Sequence, residues 1–253
     1  MTDGAPVFDD PVAVSAEVAS LARPLLGAFD VDGVLAPIVA HAGDAALLPG
    51  LLDALGELSV RTPVGIVSGR NVENLARFGF PDSFLVAGSH GAERRGRALD
   101  PLSVAETDRL ARLRVLADRA ARDAGPGAWV EAKPTAVVVH VREADPVTAQ
   151  PALTTLVTAA GAVPGAHVKG GHRIVELAVR AASKAAAITD MRSEVGAAAV
   201  TFVGDDITDE DVFAALGDGD LGVRVGAGQT SARRRLRDPG DVLTFVRHLT
   251  ATL

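Results

Sequence analysis

The stretch Pro24-Leu25-Leu26-Gly27-Ala28-Phe29-Asp30-Val31-Asp32-Gly33 decides how the rest of the chain is read. Its apolar run is continuous rather than alternating, as expected of a strand buried on both faces in a parallel sheet. It ends on two acids at i and i+2, followed by a glycine that lets the backbone bend closely past a ligand. In open α/β sheets ligands bind at the carboxyl ends of strands, which is where Asp30 and Asp32 fall. Taken alone, the stretch also fits an ordinary strand exit with solvated acids.

Outward from that strand, the pattern predicts strands at Val64–Val67, Phe84–Ala87, Val200–Val203 and Leu221–Val225. Helices are predicted at about Val14–Leu21, Pro49–Leu58, Asn71–Phe78, Ser183–Val195, Thr208–Leu216 and from Asp241 onward. This strand–helix rhythm reads as α/β with crossovers and a parallel sheet. The middle differs. Ser103–Ala124 is a long amphipathic helix with Leu110, Leu113 and Leu116 on its apolar side. Strands at Ala128–Ala132 and Ala136–Val141, a helix at Pro151–Ala160, and a hairpin of His167–Lys169 with Arg173–Ala178 over Gly170-Gly171 follow it. The expected organisation is an N-terminal segment (1–22), an α/β core (23–98 and 180–253) and an inserted α+β cap (99–179).

The chain has 253 residues, 48% of them hydrophobic and 23% charged, enough for a full core and a second, smaller unit. Mean hydropathy is +0.24, yet no run of 18 apolar residues occurs, so a membrane span is not expected. The net charge of −7 argues against nucleic acid or an anionic membrane as partner. An anionic substrate would therefore need a local cationic pocket or a metal. The absence of cysteine excludes disulfides, thiolate catalysis and Cys-based metal sites. Met1–Asp10 carries three Asp and no Lys or Arg, unlike a signal or transit peptide, so a cytoplasmic protein is expected. The oligomeric state is left open, with a monomer as the starting expectation.

A second acidic segment, Gly204-Asp205-Asp206-Ile207-Thr208-Asp209-Glu210-Asp211, follows the strand that reopens the core. Such a density of acids near Asp30 and Asp32 would raise their pKa values unless a cation sat among them. Carboxylate and carbonyl oxygens are hard ligands that match Mg²⁺. Thr208 or Asp209 can also cap the following helix, and Glu210 and Asp211 are given no catalytic role. Ser68, in Val67-Ser68-Gly69-Arg70, closes the second core strand, where its hydroxyl can donate to a phosphoryl oxygen. Lys184 opens the first core helix after the cap. It is a surface lysine by itself, and a counter-charge for phosphate in company with the acids. No P-loop pattern occurs, and Gly222–Gly228 is only a weak match to a dinucleotide loop. Arg233-Arg234-Arg235, with Arg237, reads as a solvated helix face.

These motifs resemble the haloacid dehalogenase (HAD) superfamily of phosphatases, which have a Rossmann-like core. More narrowly, Phe29-Asp30-Val31-Asp32-Gly33-Val34-Leu35-Ala36-Pro37-Ile38, Val67-Ser68-Gly69-Arg70, Gly88-Ser89-His90-Gly91-Ala92-Glu93, Glu131-x-Lys133 and His140-x-Arg142 resemble the trehalose-6-phosphate phosphatase family. The resemblance implies a Mg²⁺-dependent hydrolase of a sugar phosphate, with Asp30 as nucleophile and Asp32 as general acid, then base. It further implies a metal held by Asp30, the main-chain carbonyl of Asp32, and Asp205, with Asp206 or Asp209 ordering its waters. Ser68 and Lys184 would hold the phosphoryl oxygens. Arg70, His90 and Glu93 from the core and Lys133, His140, Arg142 and Glu176 from the cap would contact the sugar. On residue pattern alone, His140 could be an outward-facing strand residue and Glu176 a solvent-facing one.

The chain departs from the family pattern at Ala185 after the lysine, at Ala132 between Glu131 and Lys133, and at Leu177-Ala178 after Glu176. The alternatives left by these departures are a phosphatase for another disaccharide, glycoside or aminocyclitol phosphate, and a catalytically silent sugar-phosphate-binding module.

Overall fold

Helix α1 (Pro11–Ala19) begins where the Asp10 carboxylate accepts the Val12 N–H at 3.2 Å and Pro11 supplies a preset first residue. It therefore starts three residues before the predicted Val14. In the computed structural model, which describes residues 6–39, 41–98, 101–171 and 173–253, Val14 and Val18 of α1 pack into the core. Of the acids counted in the N-terminal reading, Asp3 lies outside the described residues. Strand β1 (Leu25–Phe29) is buried at every position, as its continuous apolar run requires.

Helix α2 (Leu51–Ser59) starts two residues after the predicted Pro49, because Gly50 sits at φ +87°, a left-handed conformation through which a helix cannot run. Next come β2 (Val64–Val67), α3 (Val72–Ala76, capped by Asn71) and β3 (Leu85–Gly88). A two-residue strand that the sequence reading did not foresee, β4 (Glu93–Arg94), pairs antiparallel with β3.

The inserted segment opens with α4 (Val104–Ala124), whose Ser103 cap and Glu106 form a reciprocal capping box. Strands β5 (Trp129–Ala132) and β6 (Ala136–His140) follow. Helix α5 (Pro146–Gly161) starts five residues before the predicted Pro151, because Asp145 caps it and Pro146 takes the first helical position. Pro151 lies inside it. Strands β7 (His167–Gly171) and β8 (Ile174–Ala178) pair with Gly171 opposite Ile174, so the glycine pair belongs to the strand rather than to the turn. Of the turn residues, His172 lies outside the described residues. The four strands form an antiparallel sheet in the order β5-β6-β8-β7. Alternate residues Val137, Val139, Val175 and Leu177 pack with Leu113, Leu153 and Leu156 of the two helices.

The core then resumes with α6 (Lys184–Val195), β9 (Ala199–Gly204), α7 (Ile207–Ala215) and β10 (Leu221–Val225). The Arg233–Arg235 run is not a helix face. Arg234–Leu236 form an edge strand, β11, parallel to β10, and α8 (Pro239–Thr252) closes the chain. The seven-stranded sheet has the order β11-β10-β9-β1-β2-β3-β4 and is parallel except for β4. Phe29 faces Leu55, Leu58 and Phe245, while Leu26 and Ala28 face Ile188, Met191 and Phe202, so both sides of β1 are covered.

The chain separates into two compact units, Met1–Arg97 with Ser183–Leu253, and Ala98–Ala182. The expected boundary at 98/99 adjoins residues 99–100, which lie outside the described ones. No helix among the described residues is long and apolar enough to cross a membrane.

Candidate active site

Strand register sets the first feature of the site. Phe29 pairs with Ile66 on one side and Val203 on the other, so Asp30, Ser68 and Asp205 follow at the carboxyl ends of three adjacent parallel strands. Between β1 and β9 the direction of winding reverses, and in such sheets that crevice is where ligands bind.

Lys184 is the hub. Placed at the first position of α6 by the Ser183 cap, it is only 3% exposed. Its Nζ donates to Asp30 Oδ2 at 2.6 Å and to Asp209 Oδ1 at 2.7 Å. It is therefore not a surface lysine. Burial by itself would lower its pKa, but the adjoining Asp30 and Asp209 charges outweigh burial and raise it. Asp30 Oδ1 accepts the Val31 N–H at 2.7 Å. Burial pushes the Asp30 carboxyl up to about 7, with Lys184 pulling down and Asp209 pushing up.

Asp209 is fully buried, and its Oδ2 accepts the N–H groups of Asp205 and Asp206 at 2.9 and 3.0 Å. Burial, then the charges of Asp30 and Asp209, push the Asp205 carboxyl up to about 8. One carboxylate oxygen from each of Asp30, Asp205 and Asp209 lies within 4.8 Å of the other two. Three acids against one lysine leave an excess of negative charge in an all-oxygen donor set, which fits a hard divalent cation. Gly33 permits the arrangement: at φ +78°, a Cβ there would fall 1.9 Å from Asp205 Oδ2.

The neighbouring acids behave differently. Asp206 is exposed and caps α7, its Oδ1 accepting the Ile207 N–H at 2.7 Å, and it does not join the cluster. The cap is therefore Asp206, completed by Asp209, and not Thr208, whose buried hydroxyl has no hydrogen-bond partner. Glu210 pairs with Arg224 at 2.7 Å and accepts the Ser231 N–H at 2.8 Å.

Asp32 is held in a two-pronged contact by Arg70, Nε to Oδ2 and Nη2 to Oδ1, both 2.7 Å. Ser68 is buried, and its Oγ accepts the Arg70 N–H at 3.3 Å. Glu93 has both oxygens engaged within the core, by Ser89 Oγ at 2.5 Å and the Val72 N–H at 3.0 Å. His90 lies over Gly69, where a Cβ would come within 2.8 Å of its ring.

In the smaller unit, Lys133 Nζ donates to Glu176 Oε2 at 2.6 Å, and both residues are buried, so Glu176 is not solvent-facing. His140 Nε2 lies 2.9 Å from Glu131 Oε2. That hydrogen bond, with Lys133 and against burial, holds the Glu131 carboxyl below the usual range. Arg142 sits exposed in the turn after β6. A residue the sequence reading passed over, Trp129, stacks on His140 with centroids 3.9 Å apart. Its signals were its uniqueness as a tryptophan and its alternation with Glu131 on one strand.

A parallel core sheet with Asp30 and Asp205 at adjoining strand ends, a buried lysine between carboxylates and an α+β insertion define a HAD-type fold and site. A family model for trehalose-phosphatases matches residues 28–239, and the chain belongs to that family. It is 33% identical over 232 residues to the trehalose-6-phosphate phosphatase of Escherichia coli (strain K12), covering 89% of this chain and 86% of that one. It is 31% identical over 245 residues to an uncharacterized glycosyl hydrolase of Mycobacterium tuberculosis, of whose length it spans 18%. Among solved structures, a trehalose-6-phosphate phosphatase related protein superimposes with a TM-score of 0.72 at 27% identity, covering 89% of this chain and 97% of that one.

Proposed function

We propose that the protein hydrolyses the phosphomonoester of a phosphorylated sugar, trehalose 6-phosphate in preference to others, with Mg²⁺ as cofactor. The observation that carries this reading is the convergence of Asp30, Asp205 and Asp209 around Lys184 at adjacent strand ends. The E. coli relative is named for that substrate. Mg²⁺, held by Asp30, the Asp32 carbonyl and Asp205, would neutralise charge on the phosphoryl oxygens. Asp209 orients Lys184, whereas Asp206 caps α7 and is given no part in holding the metal.

Asp30 attacks phosphorus as the bond to the sugar oxygen breaks, and Asp32 gives that oxygen its proton. Water then attacks the aspartyl-phosphate while Asp32 takes the water's proton. Inorganic phosphate leaves and Asp30 is restored. Ser68 and Lys184 hold the phosphoryl oxygens, where charge builds during transfer. Arg70 grips both Asp32 oxygens in the free site, so the fork must release one of them before Asp32 can carry a proton. His90, Glu93, Lys133, His140, Arg142 and Glu176 set the sugar preference, Glu93 by fixing the loop that carries His90.

The test is phosphate release from a panel of phosphorylated sugars, glycosides and aminocyclitols, with and without Mg²⁺. Trehalose 6-phosphate is expected to give the highest kcat/KM, EDTA to abolish turnover, and Asp30→Asn to lower kcat by about a thousandfold or more while the fold persists. Undiminished turnover in Asp30→Asn, or after exhaustive EDTA treatment, would overturn the mechanism. Preference for another substrate would move the assignment to that sugar.

A further inference from the structure

Trp129 is the chain's single tryptophan, in a sequence without tyrosine, and it stands 52% exposed on β5, an edge strand. Its neighbours Ala128 and Val130 pack toward α4 and α5, so the indole projects from the opposite face of the sheet. Trp129 is paired directly across from His140, and the two rings are parallel to within 3° at 3.9 Å. One indole face is thus covered by the imidazole, and the exposed area belongs to the other face and the edges.

The same sheet face carries the His140–Glu131 pair and the buried Lys133–Glu176 pair. The main apolar cluster of the unit lies on the other side of the sheet, so Trp129 packs against His140 and not into that cluster. A flat apolar plane beside fixed carboxylates, an imidazole and an ammonium matches the two-sidedness of a pyranose ring. Its C–H face is apolar, and its rim carries hydroxyls that both donate and accept.

We infer that Trp129 is a specificity-determining residue, a stacking platform for a hexopyranose ring of the substrate, with His140 bracing the indole from behind. The inference rests on the sugar-phosphatase reading and adds to it a contact by which a sugar is told from a bare phosphoester. Stacking contributes through dispersion and the polarised C–H edge, so it depends on the aromatic plane and not on the indole N–H.

Because no other tryptophan or tyrosine is present, emission excited at the indole band reports on this site alone. In the Asp30→Asn protein with Mg²⁺, trehalose 6-phosphate is expected to shift or quench the emission saturably, whereas inorganic phosphate leaves it unmoved. In the parent enzyme, Trp129→Ala is expected to lower kcat/KM for the sugar phosphate roughly three- to tenfold through KM, with p-nitrophenyl phosphate hydrolysis unchanged and Trp129→Phe retaining most of the parent value. An emission unmoved at trehalose 6-phosphate concentrations that saturate turnover, or an equal loss on both substrates, overturns the inference and leaves the phosphatase reading standing. Hydrolysis of p-nitrophenyl phosphate with no sugar phosphate accepted, and none moving the emission, overturns both. If Trp129→Ala fails to fold, the emission titration and Trp129→Phe decide the matter.

Discussion

At position 33 a single hydrogen atom separates a working site from a blocked one. Gly33 has φ +78°, where any L side chain costs roughly 1–2 kcal/mol, and its Cβ position lies 1.9 Å from an Asp205 carboxylate oxygen. Gly33→Ala must therefore push Asp205 aside or distort the loop carrying Asp32. Displacements of about 1 Å at reacting groups cost on the order of a hundredfold, so kcat is expected to fall by about that factor. Steady-state phosphate release, with circular dichroism to confirm the fold, checks this. A variant with parental kcat would show that Asp205 needs no fixed position. Lys184 makes the same point about precision. Its charge was readable beside the acids, but its burial between Asp30 and Asp209 was not, because burial depends on what packs over the start of α6.

At the scale of elements, local chemistry placed most boundaries and long-range pairing decided the rest. Asp10, Ser103, Asp145, Ser183 and Asp206 all cap helices by accepting backbone N–H groups, a property of the residues themselves. The arginines of β11 were misread because a three-residue edge strand has no periodicity of its own. Arg234 donates from Nε to Glu17 at 2.6 Å, and the Asp9 N–H donates to the Arg235 carbonyl at 2.8 Å, contacts that lie far apart in sequence. Pro151 was taken as a helix start, but α5 tolerates it inside because Ala149, Leu153, Leu156 and Ala160 bury a face that offsets the lost hydrogen bond.

Helix α4 also carries a pH prediction. Arg180, donating from Nε at 2.7 Å, is the main reason the Glu106 carboxyl is held down to about 2, with the Ser103 N–H and hydroxyl adding to it. A carboxyl held below its unfolded value of 4.5 gives stability that is present above that pH and is lost as pH falls toward about 2. Glu106→Gln should lower the melting temperature at pH 6 and leave it near parental at pH 2. Thermal unfolding between those values measures it, and a parallel offset at every pH would contradict the pairing.

For the whole molecule, the notable fact is that the apolar clusters do not mix. Leu113, Val137, Val139 and Leu177 belong to one cluster, whereas Phe29, Leu55 and Phe245 belong to another built entirely from the first and last parts of the chain. Each unit therefore has its own core and its own opening free energy. Leu113→Ala, at a position with no exposure, is expected to cost roughly 2–5 kcal/mol in the inserted unit. Hydrogen exchange should then speed up in β6 and β8 while β1 and β9 keep their protection. Equal loss in all four strands would mean that the two units open as one.

The sequence by itself determined the parallel core, the insertion and the identities of the acids, because a continuous apolar strand, capped helix starts and acids at strand exits are local patterns that one stretch of chain can announce. Only the tertiary structure decided that Asp209 shares Lys184 with Asp30, that Arg70 grips Asp32, and that Trp129 lies against His140. Each of these is a contact between side chains brought together by strand pairing or helix packing, and distance through space is the one quantity that distance along the chain does not contain.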